Sequence, residues 1–190
     1  MSLTFPLDFP AVGIQSIDMR FRQSAAVSES PFSFDQQVHT FTGARWECEI
    51  VFPPLSYAEA RSVEAFIVGL QGRTGTFKFG HPLHTSTASV NTLNATPVRS
   101  DTLTGKTSSS AVSAGTYFQL GDYLYMATAD KAAGQNTLHF QPPLRAEVAD
   151  NTALDFTLPK SLWRLATNDT GWSTSLASIY GFSIACTEAL

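Results

Sequence analysis

The sequence predicts a mainly β protein built around one amphipathic α-helix, and three observations carry that expectation. Segments in which apolar and polar residues alternate recur from residue 11 to the C-terminal end. Proline and glycine turns bound most of them. One stretch, at about 56–70, breaks the alternation and shows helical spacing with a full start signal.

Within residues 11–23, Ile17, Met19 and Phe21 fall on one face and Asp18, Arg20 and Arg22 on the other, the pattern of a half-buried strand. Ser28 to Pro31 reads as a turn. Phe32 and Phe34 then open a second strand running toward His39. After a break at Thr42-Gly43, residues 44–52 alternate most clearly of all. Trp46, Cys48, Ile50 and Phe52 oppose Arg45, Glu47 and Glu49, and Pro53-Pro54 ends the run.

The helix follows. Ser56 is placed to cap it, and Glu59, three residues on, completes a capping box that satisfies backbone amides left without helical partners. Val63, Phe66, Ile67 and Leu70 form the buried stripe, with Glu59, Arg61 and Glu64 facing outward. Gly69 or Gly72 ends the helix, and Thr74 to Phe79 returns as a strand.

Residues 85–114 are rich in Ser, Thr, Ala and Asn, with Val90, Leu93, Val98 and Leu103 marking weak short strands among loops. A compact β-unit is expected next. Tyr117 to Ala127 contains a turn at Gly121-Asp122, Asp130 to Gln135 turns again, and Leu138 and Phe140 precede Pro142-Pro143. Leu154, Phe156 and Leu158 close it. Trp163 to Ala166 and a last strand with Tyr180, Phe182, Ile184 and Cys186 on one face complete the chain. The last strand needs a partner, whereas 117–158 can fold nearly alone. The expected organisation is a split core of 1–90 plus 159–190, with an inserted small β-barrel-like domain at 91–158.

Composition narrows the function. Of 190 residues, 43% are hydrophobic and only 15% charged, against about 25% charged in ordinary soluble domains. Two readings fit: a surface that faces other protein, or a Ser/Thr-rich surface that is simply uncharged. The net charge of −4 comes without a cluster of Lys or Arg, so nucleic-acid recognition is not expected. No apolar run approaches the ~18 residues of a membrane span, and the start MSLTFPLDFP lacks the basic and apolar regions of a secretion signal. Cys48 and Cys186 are expected as buried free thiols.

No catalytic, cofactor-binding or metal residue is expected. His81 and His84 sit in HPLH, but Pro82 disfavours a helix there and no nearby Cys or acid completes a ligand set. Gly121-Asp122 reads as a turn, and Glu147, Asp150 and Asp155 as a solvated face. Nucleophile-elbow, phosphate-loop and dinucleotide motifs are missing, which speaks against a cell-wall hydrolase. Asn94-Ala95-Thr96 and Asn168-Asp169-Thr170 fit a glycosylation sequon by chance. Tyr117, Phe118, Tyr123 and Tyr125 form the one aromatic cluster suited to stacking on a sugar, or else to packing a small β-core.

One set of motifs resembles a family. Arg45-Trp46-Glu47 leads through Phe52-Pro53-Pro54-Leu55 into the helix Ala58 to Phe66. Leu70-Gln71-Gly72-Arg73-Thr74-Gly75-Thr76-Phe77 follows, ending at Gly80-His81-Pro82. Gly121-Asp122-Tyr123, Gly134 to Leu138 and Pro142-Pro143-Leu144-Arg145 come later. Over roughly residues 43–82 and 117–145 this resembles the distal-tail-like proteins at the tail tip or baseplate of long-tailed bacteriophages. The resemblance implies a tail-tube-like β-sandwich with a flanking helix, assembled as a homo-oligomeric ring, expected to be a hexamer. Such a ring joins the tail tube protein to the hub and tip proteins, as a structural, non-enzymatic part of the virion tail assembled in the bacterial host cytoplasm. The long C-terminal carbohydrate-type domain of larger members is not expected here, which speaks against direct receptor binding. Interface candidates are Arg45, Arg73, Phe77, Lys78 and Arg145, which flank turns and the helix end; the alternative for each is an ordinary surface residue or, for Phe77, a core position. Tyr117, Tyr123 and Tyr125 are the candidates if the chain is instead a receptor- or carbohydrate-binding module.

Overall fold

A computed structural model describes residues 4–81, 84, 86–106, 110–174 and 180–190. In chain order the elements are β1 (Leu7–Asp8), β2 (Ser16–Glu29), β3 (Gln36–Val51), α1 (Tyr57–Gly69), β4 (Phe77–Gly80), β5 (Val90–Asn91), β6 (Thr102–Thr104) and β7 (Tyr117–Leu120). They continue with β8 (Tyr123–Ala127), β9 (Thr137–Gln141), β10 (Ala153–Leu154), β11 (Lys160–Leu165), β12 (Ser173–Thr174), β13 (Tyr180–Gly181) and β14 (Ser183–Glu188). The protein is mainly β, as its alternation predicts, with one helix among the described residues.

The largest sheet has six strands in the order β1-β4-β11-β14-β3-β2. Its strands come from the two ends of the chain. Trp46, Cys48 and Ile50 of β3 and Ile184 and Cys186 of β14 bury one face, because side chains two apart on a strand point the same way. The helix covers this face with Ala60, Val63, Phe66 and Ile67. Its start is secured as expected: the Glu59 carboxylate accepts the Ser56 backbone amide at 3.0 Å and the Ser56 hydroxyl at 2.6 Å.

Phe9 enters beneath the helix, its ring 4.7 Å from that of Phe79 and 5.6 Å from that of Phe66. The chain leaving the helix is drawn in tightly. The Gly75 amide donates to the Leu70 carbonyl at 2.8 Å, and a Cβ at Gly75 would lie 2.5 Å from that oxygen and 2.6 Å from the Phe5 ring. Only glycine fits there.

The middle of the chain surrounds a second core of Val90, Leu103, Phe118, Tyr125, Leu138, Phe140, Leu154 and Phe156, among others. Four strands pair in the order β6-β9-β8-β7, and β5 pairs with β10. Two isolated bridges, Thr92 to Gly105 and Gln119 to Asp155, link these sheets end to end. Backbone pairing therefore runs all the way round this core. The two cores meet at β8: Leu124 belongs to the first, and Tyr125, the next residue, to the second.

Three local expectations are corrected. The strand expected over 11–23 continues to Glu29, and Phe32 and Phe34 lie in the turn before β3 rather than opening it. Thr42-Gly43 does not break β3, which passes through with only a register shift opposite Gln23 to Ala25. Leu158 does not extend an alternating strand; it is exposed beyond the two-residue β10. Pro82, within the HPLH motif, lies outside the described residues.

Candidate functional site

The most unusual feature is the outer half of the β2–β3 hairpin. From Arg20 to Gly43, every residue but Ser30 is exposed. The ribbon is held by cross-strand pairs such as Val27 with Val38 and Ala26 with His39. Its tip is tied by the Ser30 amide to the Asp35 carbonyl at 2.9 Å and by the Ser33 hydroxyl to the Asp35 carboxylate at 2.6 Å. Phe32 is 95% exposed, Phe34 73%, and Val27, Val38 and Phe41 all more than half. A two-stranded ribbon with neither face covered is marginal on its own. In addition, β2 is the edge strand of the large sheet, and among the described residues no strand pairs with its outer row of backbone groups. A long open edge of this kind is a template for pairing with another chain.

At the base of this arm, Arg20, Arg45, Glu47, Glu49 and Arg73 line a cavity of about 360 Å³. Glu47 sits between guanidinium groups: Arg45 donates to it at 2.7 Å and Arg22 lies at 3.6 Å. The Arg45 hydrogen bond, with the charges of Arg45 and Arg22, holds the Glu47 carboxyl below its ordinary range despite some desolvation. Arg73 is positioned through its backbone, whose amide donates to Asn168 Oδ1 at 3.0 Å and whose carbonyl accepts from Arg164 at 3.5 Å. The structure thus brings Arg45 and Arg73, 28 positions apart in the sequence, to one cavity.

The other interface candidates lie elsewhere. Phe77 is fully buried in the first core, within ring contact of Phe9 and Phe66; its strand alternates with Lys78 outward, so it packs the core and presents nothing to a neighbour. Lys78 bridges to Asp122 at 3.1 Å, joining β4 to the turn between β7 and β8. Arg145 is turned inward, 2.9 Å from the buried Glu188. Its role is internal, because a guanidinium facing a buried carboxylate holds the two parts of the chain together.

The tyrosines do not form one platform. Tyr125 is 1% exposed and its hydroxyl accepts the Arg145 amide at 3.1 Å; burial pushes its phenol up to about 12. Tyr117 is half-buried between Trp46, at 5.7 Å, and the rings of His84 and His81, at 5.4 and 6.0 Å. Tyr123 is likewise half-buried and lines a separate cavity of about 200 Å³ beside Glu147. Among the described residues, no group of three His, Cys, Asp or Glu side chains converges as a metal site.

Sequence reasoning missed the arm, the Arg145–Glu188 pair and Lys131, whose ammonium is enclosed and donates to the Ser110 carbonyl at 3.0 Å. A lone lysine before Ala-Ala-Gly gives no sign of burial. The arm had one legible signal, the strand formers Val38, Thr40, Phe41 and Thr42 after Ser30-Pro31-Phe32. Set against known proteins, the chain matches no family model and no curated protein.

Proposed function

We propose that this chain is a structural protein of a bacteriophage tail tip or baseplate, copies of which form a ring that connects the tail tube to the central hub. The observation that carries the reading is the exposed β2–β3 arm with its open edge strand. Apolar side chains on an uncovered ribbon and an unpaired edge are both satisfied when neighbouring copies pair along them. Pairing between different surfaces of identical copies closes into a ring when the rotation allows. The resemblance to distal-tail-like proteins over 43–82 and 117–145 supports placing that ring in a tail. In this role the chain performs no catalysis and works through its surfaces.

The test is electron microscopy of intact particles labelled with an antibody to this chain. Label confined to the tail tip, at a copy number that closes a ring, is the expected result. Label on the capsid, or particles that lack the chain, overturns the reading.

A further inference from the structure

The arm and the cavity at its base carry opposite charge. Between Gln23 and Ala44 there is no lysine or arginine, and the two carboxylates, Glu29 and Asp35, flank the terminal turn. At the other end, guanidinium groups outnumber the carboxylates that answer them. Glu47 is already shared by Arg45 and Arg22, and Glu49 accepts the Ser183 hydroxyl at 3.1 Å. Among the described residues, no carboxylate forms an ion pair with Arg20 or Arg73, although both line the cavity. A guanidinium presents five N–H donors in a planar fork suited to a carboxylate.

The arm cannot answer its own cavity. From Gln23 to Glu29 the ribbon runs six residues, about 20 Å at about 3.3 Å per residue, and the antiparallel register keeps tip and base at opposite ends. We propose that the cavity receives the acidic turn of a second copy, with Glu29 and Asp35 of one chain set against Arg20 and Arg73 of the next. The contact joins two different patches, so it is head-to-tail and propagates from copy to copy. It rests on the ring reading for the number of copies alone; the contact needs only two.

A charge swap on the full chain tests it, read by sedimentation velocity in low salt. The double variant Glu29→Lys/Asp35→Lys has a basic arm and a basic cavity; Arg20→Glu/Arg73→Glu has both acidic. All four positions are exposed, and matching thermal unfolding of the variants establishes that they fold. Each variant alone should self-associate about tenfold more weakly than the parent, and mixing the two should restore association, because every arm then meets a cavity of opposite sign. Parent association should weaken with added salt.

Association indifferent to both reversals, or variants that do not rescue each other, overturns the contact. So does a parent chain that stays monomeric at about 1 mM. Calorimetry with inorganic phosphate covers the remaining source of negative charge: saturable binding to the cavity, with self-association untouched by the arm reversal, assigns the site to a free anion and sinks the proposal. Labelling of intact particles decides the ring separately, so either reading can fail while the other stands.

Discussion

Glu188 at the end of β14 lies with its side chain fully buried, 2.9 Å from the Arg145 guanidinium, and so ties the last strand of the large sheet to the loop that follows β9. The same carboxylate accepts the Trp46 backbone amide at 3.1 Å. Removing one member of a buried pair leaves the other charge uncompensated. Arg145→Ala should therefore lower stability by about 3–5 kcal/mol at neutral pH, measured by urea unfolding. A loss no larger than that of an exposed arginine, such as Arg99→Ala, would show that the pair carries little weight.

The pair also predicts a pH dependence. Burial raises the Glu188 carboxyl above its ordinary 4.5, and the Arg145 charge and Trp46 amide oppose that only in part. The folded chain thus holds this proton more tightly than the unfolded chain does. Its contribution to stability is fully present below 4.5 and is lost as pH rises through the folded value. In Glu188→Gln the dependence disappears. The stability of the parent relative to this variant should fall as pH rises from 4 toward neutral; a rising difference would reverse the assignment.

Trp46 reaches between the two cores. Its indole N–H donates to the Leu124 carbonyl at 3.0 Å while its ring packs at 4.9 Å on Phe21. Trp46→Phe keeps most of the packing but orphans a buried carbonyl, at a cost of about 1–3 kcal/mol. Leu124→Ala should cost about 2–5 kcal/mol through the cavity it opens. Urea midpoints for both variants provide the check.

The arm should be dispensable for folding. Gln23 and Ala44 are cross-strand partners, so residues 24–43 can be replaced by Asn-Gly, the dipeptide suited to a two-residue hairpin turn. Because the removed residues bury almost nothing, stability should change by no more than about 0.5 kcal/mol. Self-association should vanish. A large loss of stability would mean that the arm supports the core.

Cys48 and Cys186 are direct partners across β3 and β14, both buried and both free. The hydrogen bond between the thiols, together with burial, pushes Cys48 well above the ordinary thiol range. Only a thiolate reacts readily with alkylating reagents, so mass spectrometry should find neither cysteine labelled in the native chain at neutral pH and both labelled after denaturation.

The helix was the most legible element, because Ser56, Glu59 and the Val63 to Leu70 stripe encode its start and its buried side locally. The strands were legible where one face is buried: Trp46, Cys48 and Ile50 announce β3. The same rule explains the failure on the arm. With both faces exposed, Ser24 to Glu29 and Gln36 to Gly43 have no apolar side to alternate, so their pattern faded and Thr42-Gly43 looked like a break. Phe77 suits an interface or the core by residue type, and its spacing from Phe79 marks the core face it takes. Arg145 and Glu188 are 43 residues apart, and no local pattern connects them. Arg45 and Arg73 flank turns and the helix end in the sequence, and only the fold reveals that they share a cavity.

Leu124 and Tyr125, neighbours on β8, face different cores. Detaching the middle of the chain would strip a wall from the part that remains, so this segment is not cargo that can be cut away or exchanged. Heat should melt the molecule in a single calorimetric peak, and a pull on either end should be felt in both halves before either gives way.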